Sequence, residues 1–350
     1  MSLKNLNRKG TILLTALALS LFIFAGQTLA SSDLPGKGVT VRPGRATWNT
    51  GFFSEALYSQ ALKELGYKVE KPKDLSNPIF YQAVCQGDVD FWANGWYPLH
   101  KAQFPKNFDK KAKIAGYIAK SGALQGYLVS KRDVDKYNIK SLDDFKRPEV
   151  KKAFDSNGDG KADLVACPPG WGCEKAISFH LDSFGLNDHI NAIQAGYSAS
   201  MAGAMAAYKE GKPIFFYTWT PNWTVFKLKP GKDIMWINVP ENITQESEKE
   251  WANYMTQSGV AGAVSDPLKM GFPANDIVVV ANKQFLKENP AIEKLFKIMS
   301  IPLEDIALQN NRMFGGEDGR RDIARHVNEW KALNQDKWNS WLDAARKAAK

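Results

Sequence analysis

Between residues 39 and 94, strand patterns alternate with helix patterns, and this alternation constrains the fold more than any other feature of the sequence. Residues 39–41 and 67–70 are typical of short strands, and residues 53–65 place apolar side chains on one side of a helix. A second helix pattern covers residues 77–86, and a further strand pattern covers residues 89–94. The order β-α-β-α-β is typical of a largely parallel sheet with helices on its faces. The sequence therefore predicts the α/β class.

The N-terminus has the three parts of a secretory leader. Lys4, Arg8 and Lys9 precede an apolar run over residues 11–26, and small residues follow up to Ala30. This pattern predicts a signal peptide over residues 1–30 that is cleaved after Ala30, and hence a periplasmic protein. An uncleaved membrane anchor is the disfavoured alternative, because the apolar run is shorter than the ~20 residues of a spanning helix.

Length predicts two domains in the mature chain. Removing residues 1–30 from 350 leaves 320 residues, more than one hydrophobic core usually serves. Near residue 130 the alternating strand and helix patterns give way to a charged, loop-rich stretch, and near residue 240 the chain is expected to cross back to the first domain. We expect residues 31–130 and 240–350 to form a discontinuous first domain, and residues 131–239 to form a second domain inserted into it.

The charge distribution argues against a nucleic-acid partner. Without the three basic residues of the leader, 43 basic residues stand against 37 acidic ones, from totals of 46 and 37. Lysines alternate with acids along the chain and form no basic stripe, which is typical of a solvated surface.

A short loop between two cysteines, Cys167-Pro-Pro-Gly-Trp-Gly-Cys173, precedes a helix pattern over residues 174–184. The two cysteines are the natural disulfide pair in an oxidising compartment, which leaves Cys85 as a buried thiol on a helix. Unpaired backbone N–H groups at a helix start favour an anion, and the face of Trp171 favours a cation. The alternative is a surface hairpin with a structural disulfide and a packed tryptophan.

Trp96, Trp171 and Trp219 share one position, where a strand ends or a helix begins. In open α/β sheets, ligands bind outside the carboxyl ends of the strands. We therefore expect these three tryptophans to line a cleft between the domains. His100 lies four residues beyond Trp96 and is a candidate donor to an anion, the alternative being a solvent-facing histidine. Packing is expected for the tryptophans at positions 92, 223, 236, 251, 330, 338 and 341.

One segment resembles a calcium loop. Asp155, Asn157, Asp159 and Asp163 occupy ligand positions, but Ala166 stands where a bidentate glutamate is required. A turn rich in Asp and Gly is the favoured interpretation, and no metal site or cofactor is predicted. Catalytic motifs are absent from the sequence, which argues against an enzyme.

The mature chain resembles the ProX-type glycine betaine/proline betaine-binding proteins of ABC importers over essentially its whole length. The matching segments are residues 33–41, 96–100, 159–164, 167–173, 211–213 and 217–221. The Cys loop and the Thr-Trp-Thr-Pro motif at 218–221 are the most specific of them. Residues 93–95, Ala-Asn-Gly, depart from the family pattern, and Tyr97 replaces the usual threonine.

This resemblance implies a two-domain type II periplasmic binding protein, with two mixed, mainly parallel sheets flanked by helices. It places an aromatic box for the cation on Trp96, Trp171 and Trp219. It assigns the ligand's carboxylate to His100 and to the backbone N–H groups of Trp171 and Gly172. The implied ligand is a quaternary-ammonium zwitterion, and the implied partners are the permease and ATPase of an ABC importer. The binding protein itself is expected to be a monomer. The alternatives are a receptor for choline or another small cation and, from another class, a secreted hydrolase that uses the cleft.

Overall fold

The computed structural model describes residues 34–350, which form one compact unit. The predicted signal peptide over residues 1–30 lies outside the described residues. Within residues 34–350, no helix combines the length and the apolar character needed to cross a membrane.

The strands of the described chain are short, and most belong to two five-stranded sheets. In chain order they are β1 (Thr40–Val41), β2 (Pro43–Arg45), β3 (Lys68–Val69), β4 (Lys73–Asp74), β5 (Phe91–Tyr97), β6 (Ala112–Ala123), β7 (Gln125–Ser130), β8 (Ala162–Val165), β9 (Ile190–Ile193), β10 (Phe215–Trp219), β11 (Ile234–Ile237), β12 (Thr256–Gln257), β13 (Leu268–Lys269) and β14 (Asn275–Asn282).

Helices separate these strands and fill the C-terminal part of the chain. The α-helices are α1 (Thr50–Glu64), α2 (Asn77–Gln86), α3 (Phe108–Lys111), α4 (Lys131–Tyr137), α5 (Pro148–Phe154), α6 (Gly172–Ser183), α7 (Tyr197–Lys209), α8 (Thr224–Lys227), α9 (Lys283–Glu288), α10 (Pro290–Ile298), α11 (Leu303–Phe314), α12 (Arg320–Leu333) and α13 (Gln335–Ala348). Short 3-10 helices cover Leu99–Gln103, Leu142–Lys146 and Glu246–Met255.

The first sheet has the order β4-β2-β5-β14-β6 and the second has the order β11-β7-β10-β8-β9. In the first, β2 pairs in parallel with β4 and β5, while β14 runs antiparallel to β5 and β6. In the second, β8 pairs in parallel with β9 and β10, while β7 runs antiparallel to β10 and β11. The sheets are mixed, as expected, but parallel pairings are not the majority: each sheet has two of each kind. The antiparallel pairings arise at the strands next to the points where the chain changes sheets.

The chain changes from the first sheet to the second between β6 and β7, a few residues before the expected boundary at residue 130. The strand β7 pairs with β10 and β11, so residues 125–130 belong to the second sheet. The chain leaves the first sheet after β6, and it returns to that sheet with β14. The division into two domains remains a prediction, because both sheets lie within one compact unit.

The C-terminal helices pack on the first sheet through α1 and through α10, which contacts β6. Glu64, the last residue of α1, accepts hydrogen bonds from Lys331 Nζ at 2.6 Å and from Trp338 Nε1 at 3.0 Å. Trp338 and Trp341 are buried on α13, which packs against α10. The predicted helices over residues 291–299, 321–333 and 337–349 are confirmed within one or two residues at each end.

Candidate functional site

One pocket is lined by residues from both sheets and from their connections. We call the residues from the first sheet and its connections the first wall, and they are Trp48, Trp96, Leu99 and His100. We call the residues from the second sheet and its connections the second wall, and they are Gln125, Trp171, Gly172, Cys173, Tyr217 and Trp219. The cavity between them has a volume of about 30 Å³, which is room for about two water molecules.

Two tryptophans of the first wall are held by one asparagine. Trp96 lies at the carboxyl end of β5, and Trp48 lies between β2 and α1. Their indole nitrogens donate to the same oxygen, Asn94 Oδ1, at distances of 2.7 Å from Trp48 and 3.2 Å from Trp96. Asn94 is fully buried. Because both indole N–H groups donate to Asn94, the two rings present only carbon atoms, and no unpaired N–H group, to the pocket.

His100 lines the pocket with both ring nitrogens already in contact with protein groups. Nδ1 lies 2.9 Å from the Tyr81 hydroxyl and accepts from the backbone N–H of Trp96 at 3.2 Å. Nε2 lies 2.9 Å from Asn77 Nδ2. Burial lowers the pKa of His100 from 6.5 to about 3, because a charged imidazole would lose its hydration. The ring is therefore neutral at physiological pH and carries no charge into the pocket.

The loop before α6 has the disulfide that the sequence predicts. Cys167 and Cys173 are bonded, with their Cα atoms 6.0 Å apart. Gly170 has a φ of 87°, a left-handed backbone conformation that other residues rarely adopt. The next residue, Trp171, stands directly before α6 and donates from Nε1 to the Thr47 hydroxyl at 2.9 Å. The disulfide loop thus reaches across the pocket and contacts the segment that carries Trp48.

The start of α6 brings backbone N–H groups to the pocket. Gly172 is the first residue of the helix, and N–H groups in a first turn have no acceptor within their own helix. A Cβ atom at position 172 would lie 2.9 Å from His100 Cδ2 and 3.1 Å from Leu99 Cδ2. Glycine is therefore required for the close approach of α6 to the first wall.

The strands β7 and β10 supply the rest of the second wall. Trp219 ends β10 and lies directly opposite Gln125, the first residue of β7, in the antiparallel register. The hydroxyl of Tyr217 donates to Gln125 Oε1. Gln125 Nε2 and Trp219 Nε1 have no hydrogen-bond partner among the described residues, although both side chains are buried.

The tryptophans contact one another at their edges across the pocket. The ring of Trp171 lies edge-to-face with Trp48 at a centroid distance of 5.3 Å and with Trp219 at 5.6 Å. The ring of Tyr197 packs against that of Trp219, with the two centroids 4.7 Å apart. No Asp or Glu of the described residues lines the pocket. The arrangement offers aromatic faces to a cation and N–H donors to an anion, without an acidic side chain for an ion pair.

The sequence profile of the OpuAC family, described as the substrate-binding domain of ABC-type glycine betaine transport systems, matches residues 39–331. The chain belongs to the OpuAC family. It is 41% identical to the glycine betaine-binding periplasmic protein OusX of Dickeya dadantii strain 3937, over 99% of this chain and 100% of the relative. It is 40% identical to the glycine betaine/proline betaine-binding periplasmic protein of Escherichia coli strain K12, over 94% and 96% of the two chains.

Two solved structures have the same fold as this chain. Lactococcal OpuAC complexed with glycine betaine aligns with a TM-score of 0.65 at 21% identity, over 87% of this chain and 99% of that one. An ABC-transporter choline-binding protein in complex with choline aligns with a TM-score of 0.66 at 18% identity, over 89% and 98%. The expected periplasmic binding protein fold is confirmed.

The family also decides between a binding protein and an enzyme. Members of the OpuAC family are substrate-binding domains, and the relatives named above are periplasmic binding proteins. The chain is therefore a substrate-binding protein of an ABC-type transport system, as predicted, and the alternative of a secreted hydrolase is set aside.

All five residues predicted for the site line this one pocket, together with Trp48, Gln125 and Tyr217, which were not predicted. Trp48 stands between a strand and a helix, the position by which the other three tryptophans were selected. The tryptophans assigned to packing lie outside the pocket lining. Trp92 is buried beneath His100 with ring centroids 5.8 Å apart, and Trp223 stacks on Phe314 at 3.8 Å.

The segment that resembles a calcium loop uses its carboxylates internally. Asp155 accepts hydrogen bonds from the backbone N–H groups of Gly158, Asp159 and Gly160. Asp163 accepts from the backbone N–H of Ser156 at 2.9 Å. These bonds are those of a tight turn in which side-chain oxygens satisfy local backbone donors.

Proposed function

We propose that this protein binds a small zwitterion with a fully methylated ammonium group, glycine betaine or proline betaine, and delivers it to an ABC importer. One observation carries the proposal: four tryptophans surround a pocket that no acidic side chain of the described residues lines. A primary ammonium there would lose its hydration without gaining an ion pair. A quaternary ammonium has no N–H to satisfy and is attracted by aromatic faces. The relatives named above bind glycine betaine or both betaines.

The cation would lie among Trp96, Trp171 and Trp219, with Trp48 as a fourth aromatic surface. Each desolvated contact between a cation and an aromatic face contributes up to about 2 kcal/mol, so three contribute about 6 kcal/mol.

The carboxylate would lie at the start of α6. The backbone N–H of Gly172 donates to it, as does that of Trp171, which exchanges its bond of 3.4 Å to the Pro168 carbonyl for the ligand. The positive end of the helix dipole favours the negative charge. His100 donates from Nε2 in this proposal, because Nδ1 accepts from the backbone N–H of Trp96, and the ligand takes the place of the Asn77 amide beside Nε2. Charge-assisted hydrogen bonds contribute about 1.5–3 kcal/mol each, and ordering costs several kcal/mol, so micromolar affinity, near about −8 kcal/mol, is within reach.

The proposal extends to location and partners. The leader over residues 1–30 directs export to the periplasm and is cleaved after Ala30. The mature protein is a monomer with two domains, and it presents its ligand to the permease of an ABC importer driven by an ATPase. The family supports the role in ABC transport, and the relatives support the periplasmic location.

Titration of the mature protein with glycine betaine, proline betaine and choline, followed by tryptophan fluorescence, tests this function. We expect saturable quenching or enhancement at micromolar concentrations of the betaines. Mass spectrometry of the recovered ligand should show it unchanged. A protein that binds none of the three ligands, or that converts one of them, would not have the proposed function.

A further inference from the structure

The second wall contains two buried side-chain donors that lack an acceptor among residues 34–350. They are Gln125 Nε2 and Trp219 Nε1, on side chains that are 2% and 4% exposed. Unpaired polar atoms also occur elsewhere in the interior, but of the described residues that line the pocket only these two have one. A buried donor without an acceptor is costly, so an acceptor from outside the chain is expected at this place.

The two donors are neighbours on one face of the second sheet. Trp219 and Gln125 are directly opposite residues of β10 and β7, and side chains in that relation stand about 5 Å apart. The orientation of the glutamine is set by Tyr217, whose hydroxyl donates to Gln125 Oε1. Since the amide oxygen is occupied, the NH2 group is the end left for a ligand.

The contrast with His100 strengthens the assignment. Both nitrogens of His100 already contact protein groups, namely Asn77, Tyr81 and the backbone of Trp96. A ligand that binds His100 must displace one of these groups, whereas a ligand that binds Gln125 Nε2 displaces none. The acceptor that suits an uncharged amide donor best is an ionised oxygen, because charge-assisted hydrogen bonds are roughly twice as strong as neutral ones.

We propose that Gln125 is a further ligand-binding residue, whose Nε2 donates to the carboxylate of the trimethylammonium acid and so selects an acid over the corresponding alcohol. The inference rests on the proposed function and adds to it a determinant of specificity. Choline carries the same cation with a neutral hydroxyl, so it forms only a neutral hydrogen bond with this amide. A site whose buried donors need an acceptor discriminates against a ligand that satisfies them poorly.

The substitution Gln125→Glu tests the proposal, because it keeps an oxygen for Tyr217 and replaces only the NH2 group. Calorimetric titrations at pH 8 keep the new carboxyl group ionised. We expect affinity for glycine betaine to fall at least ~30-fold through repulsion of its carboxylate, while choline binds no more than ~3-fold more weakly or binds more tightly. The ratio of the two affinities should therefore shift toward choline by at least ~10-fold.

Gln309→Glu is the matched control, since Gln309 is equally buried, lies on α11 and does not line the pocket. It should leave both affinities unchanged. Equal losses of both ligands in Gln125→Glu, or an unchanged affinity for betaine, would overturn the role of Gln125. A wild type that binds neither ligand would instead remove the proposed function, and this inference with it.

A second measurement does not depend on the folding of a charged variant. In ¹H–¹⁵N spectra of the wild type, the side-chain amide of Gln125 is identified by its absence from Gln125→Met. We expect its signals to shift on saturation with glycine betaine and to shift much less with choline. Shifts of equal size with both ligands, or none with betaine, would overturn the proposal.

Discussion

The two walls of the pocket differ in how their polar groups are used. In the first wall, Asn94 binds both indole N–H groups, and protein groups contact both nitrogens of His100. In the second wall, the start of α6 and the side chains of Gln125 and Trp219 retain donors without a partner among the described residues. The first wall is thus a fixed aromatic surface, whereas the second combines aromatic faces with unused donors. The difference indicates that the first wall supplies aromatic faces and one donor, His100, whereas the second wall supplies most of the donors for a carboxylate.

The largest loss of betaine affinity is expected for Trp219→Ala, and Trp48→Ala is the variant of the first wall with which it is compared. Trp219 contributes a face and an unpaired N–H, and its loss should weaken betaine binding at least ~30-fold, since one desolvated cation contact contributes about 2 kcal/mol. Trp48→Ala removes a face only and should cost about 5-fold. Calorimetry gives both values, with Trp251→Ala, outside the pocket lining, as the control. A larger loss for Trp48 than for Trp219 would reverse the comparison.

The burial of His100 in the first wall also predicts how stability depends on pH. The folded-state pKa of His100 is lowered to about 3, while the unfolded chain binds a proton near 6.5. Below pH 6.5 the unfolded state therefore binds more protons, and stability falls by about 1.4 kcal/mol for each pH unit. Burial also lowers the pKa of His180, to about 4, so this residue adds a similar loss of stability at low pH.

Urea unfolding of wild type and His100→Gln at pH 7 and pH 5 isolates the contribution of His100. The decrease in the free energy of unfolding between these two values should be smaller in the variant by about 2 kcal/mol. Affinity for betaine in the wild type should be flat over the same range, because His100 stays neutral. Identical pH dependence of stability in the two proteins would show that His100 titrates normally.

Asn94→Leu tests whether one side chain fixes the first wall. The variant removes the acceptor of both Trp48 and Trp96, so both rings lose their fixed orientation. We expect betaine affinity to fall about 10-fold, and some stability to be lost with the two hydrogen bonds. Asn310→Leu, at another fully buried asparagine on α11, should lower the melting temperature without changing affinity. Unchanged affinity in Asn94→Leu would mean that packing alone orients the two tryptophans.

The sequence predicted where the site lies better than it predicted which residues line it. Trp219 ends a strand and Trp171 precedes a helix, as predicted, and α2 covers the predicted residues 77–86. Trp48 lies between the predicted strand over residues 39–41 and the predicted helix over residues 53–65, but next to neither of them. The strand that directly precedes it, β2, is only three residues long, Pro-Gly-Arg, and has no strand pattern, so Trp48 was not predicted to follow a strand end.

Gln125 could not be identified from sequence for a different reason. Its role depends on the antiparallel register of β7 with β10, which places it opposite Trp219. That register joins residues 94 positions apart, and local periodicity carries no information about it. The pairing of β7 with the second sheet is likewise a long-range contact that local sequence patterns do not show.

The smallest effect is expected from removing the disulfide of the second wall. A loop this short contributes roughly 2–3 kcal/mol through chain entropy, and that is a modest part of the stability of a chain this size. Cys167→Ser with Cys173→Ser should weaken betaine binding about 5-fold, since the loop orients Trp171 and the start of α6, and should lower the melting temperature only slightly. Thermal unfolding and calorimetry on one preparation compare the two. A double variant unfolded at room temperature would assign the disulfide to the fold.

The most direct test of the central claim is a calorimetric series with glycine, N,N-dimethylglycine and glycine betaine. The three ligands share a carboxylate, so the donors of the second wall cannot distinguish them, and only the aromatic faces respond to methylation. We predict that affinity rises with each step and that betaine binds at least ~10-fold tighter than glycine, a difference of about 1.4 kcal/mol. Equal affinities for glycine and glycine betaine would contradict recognition of the cation by the tryptophans.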